Sequence, residues 1–250
     1  MSIHRKSKFE VNLMKQAGNI VALVHAAMKD VVKEGVTTKE LDELAYKIIK
    51  ENKADPTFLG YHGFPGTICA SINEQVVHGI PSNDVILKNG DIISVDVGAT
   101  FKGFVGDGAW TYPVGEITEE KKLLLKATEE SLFAGIEFMR SNEKLETVAG
   151  AIEDVAKKYK MGIVRQYGGH GVGRNMHEDP FVFNYRTNSN VILQKGMTIA
   201  IEPMLNLGCD EVDVLSDKWT VVTRDKMPSA HFEHTVCVTD NGPEILTKLL

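Results

Sequence analysis

No CxxC pair occurs in this sequence. Its three cysteines, Cys69, Cys209 and Cys237, are odd in number and spread along the chain, which argues against a zinc ribbon or a thioredoxin-like redox site. Reduced thiols of a cytosolic protein fit this usage best. Long apolar runs are missing too. A stretch such as 20–24 reaches five residues, whereas a membrane span needs about twenty. The basic start MSIHRKSKFE is not followed by the apolar core of a secretory signal. Positive charge is in deficit, with 28 Lys and Arg against 34 Asp and Glu and a formal net charge of −6. A nucleic-acid binder would more often be basic, so DNA is not an expected partner. An acidic protein can instead hold divalent cations and accept a cationic peptide amino terminus. The expectation is a soluble, cytoplasmic chain with no membrane partner.

What is present is ordinary globular composition: 250 residues, 43% hydrophobic and 25% charged, enough for a sizeable core. Ser7 and Glu10 have capping-box spacing. Met14, Ala17, Val21, Val24, Met28 and Val31 then form a helical stripe, with Gly35 placed to stop it. Thr37 and Glu40 repeat the capping box, and Leu41, Leu44, Ala45, Ile48 and Ile49 give a second amphipathic helix. Between Thr67 and Pro113, apolar residues alternate with Gly, Asn and Pro breaks and read as strands and turns. The texture then restarts. Thr118 can cap a helix to about Arg140, another covers about Leu145 to Tyr159, and strand-like segments follow from Gly162.

The restart suggests duplication. Val85-Ile86-Leu87 precedes an apolar segment read as a strand ending at Asp96, and Val191-Ile192-Leu193 precedes one ending at Glu202. The offset is 106 residues, and each copy has a glycine three residues after the Leu and a carboxylate six residues after that glycine. Helix, helix, strands recurs in the same order, although chance could also give two VIL strings. No Pro/Ser-rich linker separates the halves. One domain over 1–250 is expected, with half 1 about 1–115 and half 2 about 116–250 packed around one site.

Five residues stand out. Asp96 lies in IISVDVG, Asp107 in what reads as a glycine-flanked GDG turn, His170 in GGHGVG, Glu202 at the end of TIAIEPM, and Glu233 in HFEHTVCV. Taken singly, Asp107 is ordinarily a turn residue, His170 a loop residue and Glu233 a solvated edge. Asp96 and Glu202 have apolar flanks, and a buried lone carboxylate is costly. Four carboxylates and one imidazole would be balanced by two divalent cations. Oxygen-rich ligation with one His suits Mn, Fe(II), Co or Zn. Without cations the converging acids would repel one another and their pKa values would rise. Two metals about 3.5–4 Å apart can share a hydroxide nucleophile and polarise a scissile carbonyl. His78 in VVHGIP and His177 in NMHEDP are loop histidines by themselves. Near such a centre, either could stabilise a tetrahedral intermediate.

The strings GYHGFPGTICASINEQVVHGIP, DVGATFKGFVGDGAWTYPVG, GGHGVGRNMHEDP, IAIEPML, WTVVTRD and HFEHTVCVTDNGPEILT together resemble the type I methionine aminopeptidases of peptidase family M24. The resemblance covers nearly the whole chain. It implies the pita-bread fold, an α/β (α+β) architecture of two pseudo-symmetric halves with a central antiparallel sheet flanked by helices. It implies two divalent ions: Asp96 would bind one, Asp107 and Glu233 would bridge, and His170 and Glu202 would complete the other. Glu202 would also handle the proton of the attacking water, while His78 and His177 would position substrate. The same match implies a methionine pocket of Tyr61, Cys69 and Trp219 with Phe58, Phe64 and Met176 nearby; soft and aromatic surfaces suit a thioether. Asn73 and Ser229 match positions that hold a monovalent cation in some members. The substrates implied are nascent polypeptides whose initiator Met precedes a small residue. Ser2 after Met1 makes this chain's own start such a substrate. Transient ribosome contact and a monomeric state are further implications, although no basic patch marks a docking surface.

With nothing that reads as a zinc finger before the first helix, and only 25 residues between His177 and Glu202, the short bacterial form is the one resembled. Three other readings share the scaffold. A proline-directed peptidase would usually carry a further amino-terminal domain. A binding module would have lost metal ligands, and a metal-free creatinase-like hydrolase would leave the paired acids without charge compensation.

Overall fold

The computed structural model describes residues 3–250, so the Met1-Ser2 expectation lies outside the described residues. Both capping boxes form. The Ser7 side chain accepts from the Glu10 N–H and Glu10 reaches back to the Ser7 N–H, opening α1 (Lys8–Val31). Thr37 and Glu40 do the same for α2 (Thr38–Glu51). After α2 come β1 (Asp55–Pro56), β2 (Ile68–Ile72), β3 (Gln75–Val77), β4 (Ile92–Phe101) and β5 (Phe104–Pro113). The second helical pair is α3 (Glu119–Glu137), capped by Thr118, and α4 (Leu145–Tyr159). Short strands follow: β6 (Gly162–Ile163), β7 (Gly169–Gly171), β8 (Glu178–Val182), β9 (Thr198–Ile201) and β10 (Met204–Asn206). The last are β11 (Val212–Val214), β12 (Val221–Thr223), β13 (Ser229–His231), β14 (His234–Thr239) and β15 (Gly242–Ile245).

Three sequence expectations are corrected. Gly35 does not terminate α1, which stops at Val31 with Val32 turning to extended backbone. Gly35 instead sits at φ +89 in the following loop and donates its N–H to the Leu87 carbonyl at 2.9 Å. Asp96 is inside β4, not at its end, because that strand continues to Phe101. Asp107 is inside β5 and not in a turn. The actual reversal is Lys102-Gly103, both at positive φ (48° and 77°), as a tight two-residue hairpin turn demands.

The duplicated strings occupy equivalent places. The residue before α2, Thr37, bridges Ile86, and the residue before α4, Lys144, bridges Ile192. Thr38 donates to the Val85 carbonyl at 3.0 Å and Leu145 to the Val191 carbonyl at 2.9 Å. Each helix pair covers its own core: Val21, Val24, Met28, Leu41 and Ile49 against Val95 and Val97 of β4, and Leu124, Leu132, Val148 and Ile152 against Ile199, Ile201 and Val236.

Every strand pairing among the described residues is antiparallel. β4 carries β1, β2 and β5, and the largest other sheet runs β15-β14-β9-β7-β8. Threonines on both sides stitch β5 to the second half, Thr111 of β5 reaching β13 and Thr235 of β14 reaching β5. Thr111 Oγ1 donates to the His231 carbonyl at 2.8 Å and accepts the His231 N–H at 2.9 Å. Thr235 Oγ1 does the same for Asp107, with distances of 2.8 and 3.1 Å. Among the described residues no helix is long and apolar enough to cross a membrane.

α1 lies against β5 so closely that a Cβ on Gly106 would stand 2.5 Å from the Gly18 backbone nitrogen. Backbone cannot swing aside as a side chain can, and overpacking of this kind costs about 1–3 kcal/mol. Gly106→Ala is therefore expected to lower the thermal midpoint by several degrees; an unchanged melting curve would show slack between α1 and β5.

Candidate metal centre and substrate cavity

Strand alternation builds the site. In the β4–β5 register Asp96 faces Ala109 and Gly98 faces Asp107, so the two carboxyl groups are diagonal neighbours on one face of the sheet. In the other sheet His234 pairs with Ile201 and His170 with Ala200. Glu233 immediately precedes His234 and Glu202 immediately follows Ile201, which sets these two acids opposite each other. His170 and Glu202 then share a face, since Ala200 and Glu202 are two residues apart. The Glu233 N–H donates to the Ala109 carbonyl at 2.8 Å, which brings the second pair of acids up to the first.

All five of these side chains line one cavity of about 330 Å³. His170 Nε2 is 3.6 Å from Asp107 Oδ2 and 3.5 Å from Glu202 Oε1. Burial pushes the Asp96, Glu202 and Glu233 carboxyls well above the usual carboxylate range, and the charge of neighbouring acids adds to it. Asp107 is pushed up to about 7 by burial, partly offset by the Glu233 carboxyl and the Gly108 N–H. Asp96 Oδ1, Asp107 Oδ1, Glu233 Oε1 and His231 Nε2 are buried without a hydrogen-bond partner. A group of unpaired acceptors like this requires a cation or added protons.

The donor set fits divalent metal. Asp107, His170 and Glu233 each offer a ligand atom within 4.8 Å of the others. His170 Nδ1 lies 2.9 Å from the Gly171 carbonyl. A carbonyl only accepts, so neutral His170 carries its proton on Nδ1 and turns the Nε2 lone pair toward the acids, as a metal-bound imidazole does.

The remaining sequence candidates line the same cavity: His78, His177, Tyr61, Cys69, Trp219, Phe58, Phe64 and Met176. Phe64 meets Trp219 edge to face at 5.1 Å, and Phe58, Phe64, Cys69 and Met176 pack as one buried apolar cluster. Burial lowers His78 to about 4 and also lowers His177, so both imidazoles are neutral near pH 7. Tyr61 Oη lies 2.9 Å from His177 Nδ1. His78 is held at φ +60, a sparsely populated conformation of the kind that collects at functional sites. Asn73 and Ser229 stand outside the cavity wall. The Ser229 N–H donates to the Asn73 carbonyl at 2.8 Å, and the Lys121 ammonium donates to Asn73 Oδ1 at 2.9 Å. A monovalent cation there would share its corner with that ammonium.

Sequence reasoning missed His231, whose Nε2 lies 3.8 Å from Glu202 Oε2 and 3.9 Å from Glu233 Oε2. The signal was available, because an extended chain puts residues 231 and 233 on one face. It also missed His62, Gln166, Tyr167 and Phe181 of the cavity lining, which no pattern in the sequence marks.

The profile of metallopeptidase family M24 matches residues 12–240. The chain belongs to that family. It is 48% identical over 245 residues to methionine aminopeptidase 1 of Bacillus subtilis, with 98% of each chain covered. The crystal structure of the methionine aminopeptidase of Thermotoga maritima superposes with a TM-score of 0.97 at 43% identity, covering 99% of this chain and 100% of that one. The architecture is accordingly the pita-bread fold. Prolidase from Pyrococcus furiosus shares that fold at a TM-score of 0.80 but only 23% identity, and this chain covers 65% of it.

These M24 acids make metal-free stability depend on pH with a definite sign. Their folded pKa values are raised, so between pH 7 and 8 the folded state keeps protons that the unfolded state has released. Stability then falls as pH rises, by about 1.4 kcal/mol per pH unit for each proton retained. In EDTA the urea midpoint is expected to be lower at pH 8 than at pH 7. Excess Mn²⁺ should raise both midpoints and flatten the slope, since cations replace the protons. Equal midpoints at the two pH values in EDTA would show that the carboxyls ionise without a cation.

Proposed function

We propose that this M24 enzyme is a methionyl aminopeptidase that removes the initiator methionine from nascent polypeptides whose second residue is small. One observation carries the reading. A cavity of about 330 Å³ is walled by Phe58, Phe64, Cys69, Met176 and Trp219 and holds Asp96, Asp107, His170, Glu202 and Glu233 on the same surface. One apolar side chain and the first peptide bond are what such a cavity can hold. The whole chain, 1–250, works as a single catalytic domain in this reading, with its two halves contributing acids to one centre.

Two divalent ions, among Mn, Fe(II), Co and Zn, would be held by those five residues, and would polarise the scissile carbonyl and acidify water. Asp107 and Glu233 would bridge, with Asp96 on one side and His170 and Glu202 on the other. The protein's own groups do the rest. Glu202 takes a proton from the attacking water and returns it to the leaving amine. A neutral His177 with Tyr61 donating to Nδ1 keeps its proton on Nε2, a donor for the substrate carbonyl. His78, neutral for the same reason, is a second such group. The soft walls hold the thioether. The work belongs in the cytoplasm, on chains emerging from the ribosome, and the protein acts as a monomer with transient ribosome contact.

Turnover of Met-Ala-Ser, Met-Leu-Ser and Ala-Ala-Ser across a metal series, with metal counted on the same samples, tests the assignment. Met-Ala-Ser should be preferred by a large factor over both others. Preference for X-Pro peptides would move the chain to proline-directed chemistry, and inertness with Mn, Co and Fe(II) in turn would make it a binding module. Separately, Glu202→Ala removes a ligand and the proton acceptor together, so kcat should fall by several orders of magnitude. A loss of less than tenfold would remove Glu202 from the proton's path.

A further inference from the structure

Phe181 leads out of the cavity. It forms part of the lining yet is 43% exposed, and its ring packs over Gly168, another lining residue. Phe183 and Tyr185 follow at alternate positions, half-buried, while Val182 and Asn184 between them are buried. The three rings therefore share one outer face of β8 and its continuation. They stack edge to face in series, with centroids 4.7 Å apart for Phe181 and Phe183 and 5.3 Å for Phe183 and Tyr185. The Arg165 guanidinium closes the row, 4.6 Å from the Tyr185 ring centre, and is itself anchored to Asp210 at 2.8 Å. The row lies mostly outside the buried core. Phe181, Phe183 and Tyr185 sit outside the buried clusters, Tyr185 alone touching one from its rim.

We propose that this ladder is a track for the third to fifth residues of the substrate polypeptide, favouring apolar and aromatic side chains there. The proposal rests on the aminopeptidase reading. A polypeptide whose first residue fills the cavity must leave through the mouth, and the ladder is continuous with the cavity at Phe181. The spacing fits as well, because the three rings span roughly the length of three extended residues. Exposed aromatic rings with fixed neighbours bind apolar side chains at little ordering cost, and Arg165 adds a planar cation that stacks on an aromatic residue.

The test compares kcat/KM for two length-matched peptides, Met-Ala-Leu-Trp-Leu-Lys and Met-Ala-Gly-Gly-Gly-Lys, on the metal-loaded full chain. The apolar peptide should be favoured about tenfold, equivalent to about 1.4 kcal/mol. In the double variant Phe183→Ser, Tyr185→Ser, neither member of which lines the cavity, the ratio should fall toward one, with a thermal midpoint confirming that the variant is folded. Equal values for the two peptides on the unaltered chain overturn the ladder and leave the aminopeptidase reading standing. A tenfold ratio that survives in the folded double variant also overturns it. Release of methionine from neither peptide overturns the aminopeptidase reading, and the ladder with it.

Discussion

Four carboxyl groups, Asp107 and Glu233 buried and Asp96 and Glu202 largely so, face one another across a cavity that burial makes hostile to charge. Taken alone this is an unfavourable arrangement, since each buried acid must either hold a proton or meet a cation. The rest of the molecule is organised around keeping the arrangement in place until a cation resolves it. Asp96 and Asp107 come from a hairpin of ten paired residues on each strand, the longest ladder in the protein. Glu202 and Glu233 sit just outside strand ends, Glu202 after β9 and Glu233 between β13 and β14, with no ladder of their own to hold them.

Their restraint is the seam between the sheets. Thr111 and Thr235 each both donate to and accept from backbone across it. These bonds bracket Glu233 within two residues on either side and fasten it to β5 near Asp107. A hydroxyl suits the task because it carries one donor and two acceptor sites and stays neutral. An acidic side chain in the same place would have added to the repulsion. The glycine contact of α1 with β5 acts from behind, since Gly106 adjoins Asp107 and its missing Cβ lets the helix back the strand directly.

Much of this was legible in the sequence, and for particular reasons. Helix starts are local chemistry, so Ser7 with Glu10 and Thr37 with Glu40 marked α1 and α2 correctly. The five acidic and imidazole residues were visible because each interrupts an apolar or glycine-rich string, where a charge needs a cause. The role of the glycines around Asp107 was not visible. GDG reads locally as a turn, whereas its glycines make room for α1, a contact partner some ninety residues away. Gly35 misled in the same manner, because its partner is the Leu87 carbonyl and not the end of the preceding helix. The duplicated VIL strings were readable as a repeat, but what they do is bridge the residue before a helix, and a pairing between distant segments leaves no trace in local composition. His231 was within reach of strand alternation. Phe181 was not, because only the tertiary structure brings it to the cavity mouth.

Exclusion of water acts on the acids and the imidazoles in opposite senses, and both senses serve the same chemistry. It raises the carboxyls, so that in the absence of metal they prefer protons and a cation becomes the natural replacement. It lowers His78 and His170 to about 4, so these rings are uncharged at neutral pH. A charged imidazole could not be a ligand, since both its nitrogens would carry protons. It would also cancel part of the negative charge that attracts the cations. A neutral one can lend a lone pair, as His170 does toward the acids, or an N–H, as the mechanism asks of His177. A wetter cavity would return the acids to ordinary carboxylates and the histidines toward half-protonation, blurring which groups bind metal and which bind substrate. The apolar wall of Phe58, Phe64, Met176 and Trp219 therefore has a second duty beside shape. By keeping the cavity dry it fixes the protonation states on which the division of labour among the polar residues depends.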